Sequence, residues 1–373
     1  MLTLIKILLN LNYKIKLCIS EKIFSLIKND LKNIDIDLLL VSNSLSIKEK
    51  KEVFNYFFIN KISLLIFPSY SIYRFKDIFF YRDLLIKYNN CVGVFNYEKW
   101  FNIFPQIQFN EFLLPKRSTL ISWLGCQFGK KYIKNFFISE IHINSENPLK
   151  KKIKKTLNID AFDIPFKISS KKFSPNLNYN TPVFIIPGGI NNERRDYDLV
   201  LNYFYENYEL IKNHEWRLIL LGKPYRKYGR KIIEFSERIN NLYDCNKIVL
   251  FNSYIPKSTF DEWMEKSTHI IAPINKDTYR NGKDSGAIYD FFYYSKIGII
   301  DKDYFYNNKL PEQKILLKFG DNNEFTKLMN SIIFGQINYN YLKKELSKFS
   351  DFLSLDKWSK HLDAEFKIAI KNK

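Results

Sequence analysis

Short apolar runs alternate with longer amphipathic stretches through this chain; the alternation stops once and then begins again. An apolar run of about four to eight residues suits a buried strand, and an amphipathic stretch of about ten to fifteen suits a helix covering it. Repeated, the pattern leaves few choices: the strands lie parallel and helices cover both faces of the sheet. Runs over 14–19, 36–41, 64–67, 91–95, 140–144 and 161–165 read as strands, with helices over 48–60, 78–89 and 120–136 between them. Residues 168–181, ISSKKFSPNLNYNT, have no period and read as a linker. Strands over 183–186, 217–221, 248–251, 269–272 and 297–300 follow, separated by helices over 198–213, 231–242, 258–266 and 286–294. The expected fold class is α/β, with two Rossmann-like doubly wound parallel-sheet domains facing a cleft, over 1–170 and 181–345. A helical tail over 346–373 is expected to pack back on the first domain.

Bulk properties narrow the class further. At 373 residues the chain is long for one core, in keeping with two domains. No apolar run approaches the ~20 residues of a membrane-spanning helix. The opening MLTLIKILLNLNYKIKLCIS carries Lys6, Lys14 and Lys16 and no small-residue cleavage site, unlike a signal peptide. The four cysteines and four histidines are scattered, with no CxxC pair, so neither a disulfide framework nor a zinc site is expected; a cytoplasmic location is. The net charge of +19 is uneven: residues 1–180 hold 28 Lys and Arg against 14 Asp and Glu, and residues 181–373 hold 30 against 25. A basic first half fits an anionic partner. The stretch 113–137, apolar and basic, and five lysines within 150–155 point to the inner face of an anionic membrane. No nucleic-acid-binding motif accompanies the charge, so nucleic acid is not an expected partner.

The residues suited to chemistry lie at the expected carboxyl ends of strands in the second domain. In FIIPGGINNERRDYDLV, Gly188 and Gly189 allow close backbone approach to a ligand, and Arg194 and Arg195 stand at the next helix start. Their planar guanidinium groups suit phosphate oxygens, although a tight turn with two solvated arginines would read the same way. The next strand runs into LGKPYRKYGRK, placing Lys223 at the cleft as a phosphate contact. In NSYIP, backbone at Tyr254 and Ile255 could read a base edge. In YRNGKDSGAIYDFFYYSKIGII, Lys283 lies in a polar loop, and Ser285, Gly286 and Ala287 open a helix whose free amides and dipole favour an anion. Asp290, one turn into that helix, could accept hydrogen bonds from ribose hydroxyls.

In this order the four loops resemble the donor half of GT-B glycosyltransferases, and in particular the bacterial family-four enzymes (glycosyl transferases group 1). The G-G-x(4)-R-R turn, the strand ending in Gly222-Lys223, the strand before a short helix, and the block SGAIYDFFYYSKIGII carry the resemblance over most of 183–301. The last block is similar to that family's E-x(7)-E region. The resemblance implies a transferase that moves a sugar from a nucleotide-sugar donor to a glycan or lipid-linked acceptor, in surface polysaccharide biosynthesis. Its diphosphate would sit on Gly188, Arg195, Lys223, Ser285 and Gly286, with Asp290 at the ribose. No metal and no cofactor beyond the co-substrate would be needed, because arginine, lysine and a helix N-terminus offset the leaving diphosphate. The first acid of E-x(7)-E falls at Gly282, so the resemblance does not fix whether the sugar's configuration is retained or inverted. In GVFNYEKWF, Asn96 stands where the family often has a histidine, which leaves Glu98 as the nearest candidate base; Arg195 and Lys223 complete the catalytic candidates. The resemblance also implies an opening strand in the first domain; Met1 falls directly at the helix that should follow it, so the expectation is either that this strand is missing from the sequence or that the sheet has been trimmed. A nucleotide-sugar epimerase of the same shape, or a non-catalytic sugar- or nucleotide-binding relative, is the alternative.

Overall fold

The computed structural model describes residues 2–68, 74–94, 117–139, 148–165, 167–168, 179–275, 285–307, 314–347 and 354–371. The chain divides into two units, one of Met1–Phe166 with Leu355–Lys373 and one of Lys167–Ser354.

The first unit holds two parallel ladders. One joins β1 (Lys16–Ser20) to β2 (Asp37–Val41), and the other runs β3 (Leu65–Phe67), β4 (Asn90–Gly93), β5 (Asn135–Ser139), β6 (Ala161–Ile164). Among the described residues, no ladder joins β1 to β3. Two apolar clusters fill this unit: Val53, Phe57, Leu65, Leu84 and Tyr88 on one side, and Ile78, Leu85, Val92, Cys126, Phe136 and Ile153 on the other. The helix Ile47–Ile59 starts on a capping box in which Ser46 and Glu49 satisfy each other's backbone amides. The tail helix Leu355–Lys371 belongs to this unit: Phe366 meets the rings of Tyr13 and Phe162, and Asn89 donates to the Ile370 carbonyl at 2.6 Å.

One helix ends earlier than its sequence suggests. The stretch expected to be a helix through residue 136 ends at Gly129, and β5 follows at Asn135–Ser139; the strand expected over 140–144 lies outside the described residues. Phe136, Phe137 and Ile138 are all inside, as befits a strand covered on both faces.

The second unit is one parallel sheet of β7 (Val183–Pro187), β8 (Arg217–Leu221), β9 (Ile248–Val249), β10 (His269–Ala272), β11 (Ile297–Asp301) and β12 (Leu316–Phe319). Its spatial order is β12-β11-β10-β7-β8-β9, which is the 3-2-1-4-5-6 Rossmann order read from the opposite edge. The central strands are buried along almost their whole length, as strands covered on both faces must be. Trp216 stacks on Phe204 at 4.2 Å inside the cluster that also holds Phe184, Tyr197, Ile232 and Phe325. The expected helix over 198–213 breaks at Asn207 into Tyr197–Glu206 and Tyr208–Ile211. Neither β12 nor the helix Asn322–Ile333 after it was expected from the sequence pattern.

Candidate functional site

The direction of winding reverses between β7 and β10, the two central strands. Connections leaving the carboxyl ends of those strands go to opposite faces of the sheet, which opens a crevice between them; open α/β sheets take their ligands there. The loops after β7, β8 and β10 are therefore the ones that matter.

Two of these loops are zipped together by backbone. Gly188 donates to the Leu221 carbonyl at 2.9 Å, Ile190 to that of Lys223 at 2.9 Å, and Tyr225 back to that of Ile190 at 3.1 Å. The approach requires glycine on both sides. A Cβ at Gly222 would stand 1.9 Å from the Gly188 oxygen. Gly188 has φ of +100°, and a Cβ there would meet Arg195 Nη2 at 2.9 Å; one at Gly189 would meet the Tyr225 ring at 2.5 Å. The turn is thus bare backbone with a guanidinium on one flank and an aromatic ring on the other.

Arg195 is carried across the crevice by its own backbone. Its segment forms an antiparallel bridge with Ile274; Asp196 donates to the Pro273 carbonyl at 2.7 Å and Asn275 to that of Arg194 at 3.1 Å. The loop after β7 is thereby tied to the loop after β10. Arg194 points outward and is exposed, while Arg195 is only 8% exposed. Arg195 Nη1 is buried without a hydrogen-bond partner. Beside it, the hydroxyl of Tyr197 donates to the Gly188 carbonyl at 3.1 Å. Burial pushes the Tyr197 phenol up to about 12 despite the Arg195 charge nearby, so it stays a neutral donor.

The loop after β10 ends at Ser285, the N-cap of the helix Gly286–Tyr293. Ser285 donates its amide to the Tyr304 hydroxyl at 3.2 Å, yet its own Oγ is buried without a partner and makes no cap bond. Gly286 is exposed, so the first amides of this helix open outward where Ala287 and the residues after it are buried. Asp290, 5% exposed, faces inward and its Oδ1 accepts from Lys167. The ammonium of Lys167 also stands over the rings of Tyr294, Tyr293 and Phe260 at 5.3, 5.4 and 5.7 Å. Burial raises the Asp290 pKa, and the charges of Lys167 and Arg195 oppose the rise. Tyr294 in turn donates to Asp261 at 2.5 Å.

The structure brings Gly188, Gly189, Arg195, Lys223, Ser285, Gly286, Ala287 and Asp290 to the carboxyl edge of one sheet, with Lys223 exposed at the zipped turn. Tyr254, 68% exposed, and half-buried Ile255 stand on the loop after β9, the edge strand. Glu98, Gly282 and Lys283 lie outside the described residues. Sequence reasoning missed Lys167, Tyr197, Tyr225 and Tyr304. Lys167 has no local signal, because its partner is 123 positions away.

No protein-family model matches the sequence, and no curated protein matches it. Solved structures do. A glycosyltransferase from Rickettsia africae aligns over 100% of this chain and 95% of its own, at 14% identity and a TM-score of 0.62. The Anabaena protein HepE, solved with UDP and glucose, aligns over 98% and 95% at 9% identity and the same TM-score of 0.62. Sucrose-phosphate synthase from Thermosynechococcus elongatus covers 87% and 78% at 9% identity, with a TM-score of 0.56. At such identities the fold is what is shared. The chain has the two-unit Rossmann-like fold of GT-B glycosyltransferases.

Proposed function

We propose that this protein is a glycosyltransferase that takes a nucleotide-sugar donor in the second unit and passes the sugar to a glycan or lipid-linked acceptor, in surface polysaccharide biosynthesis. The observation that carries the reading is Arg195: a nearly buried guanidinium with an unpartnered nitrogen, set against a bare glycine turn at the switch point of a Rossmann sheet. A buried donor without an acceptor is costly unless a ligand supplies one. The diphosphate of a sugar nucleotide supplies charge and oxygens together. HepE was solved with UDP and glucose, and the pneumococcal O-GlcNAc transferase GtfA with UDP and GlcNAc, so uridine nucleotides come first among candidates.

On this reading an acceptor hydroxyl attacks the anomeric carbon as the bond to the diphosphate oxygen breaks, and negative charge builds on the leaving nucleoside diphosphate. Arg195, Lys223 and the N-terminus of the helix Gly286–Tyr293 are positioned on one sheet edge to offset that charge, which makes a metal unnecessary. Glu98 is assigned the acceptor's proton. Asp290 Oδ1 is engaged by Lys167, which leaves Oδ2 for a ribose hydroxyl. Arg194 adds a cation at the rim and Lys283 is assigned to the donor, while Tyr254 and Ile255 are assigned to the base. A membrane-side acceptor at the cytoplasmic face suits the basic first half of the chain.

A panel of nucleoside diphosphates, read by thermal shift and then calorimetry, tests the donor site. One nucleotide should stabilise the protein, and Arg195→Ala and Lys223→Ala should each weaken it by roughly 10- to 100-fold, the worth of a charge-assisted hydrogen bond. Unchanged affinity in both variants would refute the assignment. Turnover of the matching nucleotide-sugar then separates a transferase from a protein that only binds.

A further inference from the structure

We infer that the exposed face of the helix Phe75–Lys87, with its neighbours, docks the first unit onto an anionic lipid surface. Positions 75, 79, 82 and 86 follow one another at spacings of four, three and four, so they form one stripe along that helix. Phe75, Phe79 and Ile86 on it are 60%, 47% and 53% exposed. The opposite side of the same helix is core, with Ile78, Leu84 and Leu85 buried. The stripe is therefore a second apolar face on a helix whose packing is already satisfied.

The neighbours widen it. Phe79 meets Phe75 edge-on at 6.2 Å and Phe128 of the helix Arg117–Gly129 at 6.4 Å. Phe128 and Leu124 are each 37% exposed. On the other flank Lys87 stands 4.2 Å over the ring of Phe58, and Phe58 and Ile59 are 62% and 74% exposed. A contiguous apolar patch of this kind on a water-soluble surface marks a binding face.

Charge selects the occupant. Arg82 lies over the Phe79 ring at 5.3 Å, and Lys76, Lys87 and Lys131 are exposed around the aromatics. Asp83, an acid on this flank, is paired with Arg82 at 2.6 Å. Long cationic side chains with aromatic bodies beneath them match the boundary between acyl chains and anionic headgroups. There the rings enter the interface while ammonium and guanidinium groups reach the phosphates. The exposed residues are spread over three helices, which suits a bilayer better than a single peptide. By contrast, two of the lysines in 150–155 are engaged elsewhere: Lys150 with Asp163, and Lys154 with Asp160 at 2.8 Å. The inference rests on the proposed membrane-side acceptor for its purpose only; the donor chemistry plays no part in it.

Flotation of the full chain with phosphatidylcholine vesicles, with and without phosphatidylglycerol, is the test. The protein should float with the anionic vesicles and remain behind with the neutral ones. Phe75→Ser with Phe79→Ser should lower the bound fraction by roughly tenfold or more, from two lost interfacial aromatics, with the unfolding temperature and nucleotide affinity unchanged. Indifference to lipid charge, or equal flotation of the double variant, overturns the inference. So does a dimer that fails to float and that the double variant dissolves into monomers, since the face would then belong to a second copy. Nucleotide affinity, measured on the same samples, reports on the donor site separately.

Discussion

At the scale of single residues, the site depends on positions where almost nothing is present. Gly222 has no room for a side chain because the Gly188 oxygen occupies the space, and both neighbours in that contact are backbone, which cannot rotate away. Gly222→Ala should therefore destabilise the second unit by about 3 kcal/mol, at the upper end of ordinary overpacking, and abolish nucleotide binding; urea denaturation and calorimetry measure the two effects. His269 offers a different probe. It is fully buried on β10, with its Nδ1 2.8 Å from Thr268 Oγ1, and burial together with the Lys296 charge lowers its pKa to about 3. Below pH 6.5 the unfolded chain takes up a proton there that the folded chain refuses, so stability is full above 6.5 and falls as the pH drops toward 3. The loss should reach about 2 kcal/mol by pH 5. His269→Gln should flatten that limb of the stability curve, and an unchanged slope would show that His269 is not its source.

At the scale of elements, the strands were legible wherever burial on both faces made them unbroken apolar runs, as in FIIP, RLILL and HIIA. They were illegible where polar residues intrude. LLKF carries Lys318 into β12, and NFFIS sits so close to the preceding helix that its first two residues read as part of it. Of the site, the glycines and arginines could be read from spacing, because a helix start after a Gly-Gly turn has few uses. Which of two adjacent arginines turns inward could not, since that follows from the Arg195–Ile274 bridge between loops far apart in sequence. The helix Tyr197–Glu206 holds that choice in place: Asp196, its N-cap, accepts from the Leu199 amide at 3.0 Å immediately after Arg195. Asp196→Ala should cost about 1 kcal/mol of stability and weaken nucleotide binding several-fold. A variant as stable and as tight-binding as the parent would show that the cap does not orient Arg195.

For the whole molecule, a chain that crosses from one Rossmann-like unit to another at Lys167 and returns at Leu355 carries two units with separate cores. The proposed donor residues belong to one unit and the stripe proposed to meet lipid to the other. Amide exchange should report this division: added nucleotide should slow exchange at 188–196, 222–226 and 285–290 and leave 75–87 unaltered. Vesicles should do the reverse. Protection of both regions by either ligand would mean that the two surfaces are not independent.

The unpartnered nitrogen of Arg195 has a consequence for the protein's abundance. A buried donor left without an acceptor weakens the folded state of the empty protein, and any anion that completes it favours folding by mass action. At a concentration about a hundredfold above its dissociation constant, such a ligand adds roughly 2.7 kcal/mol to the folding free energy. If the anion is the proposed sugar-nucleotide donor, a cell short of it would hold more of this chain unfolded and exposed to proteolysis, and the supply of that ligand would set the protein's half-life.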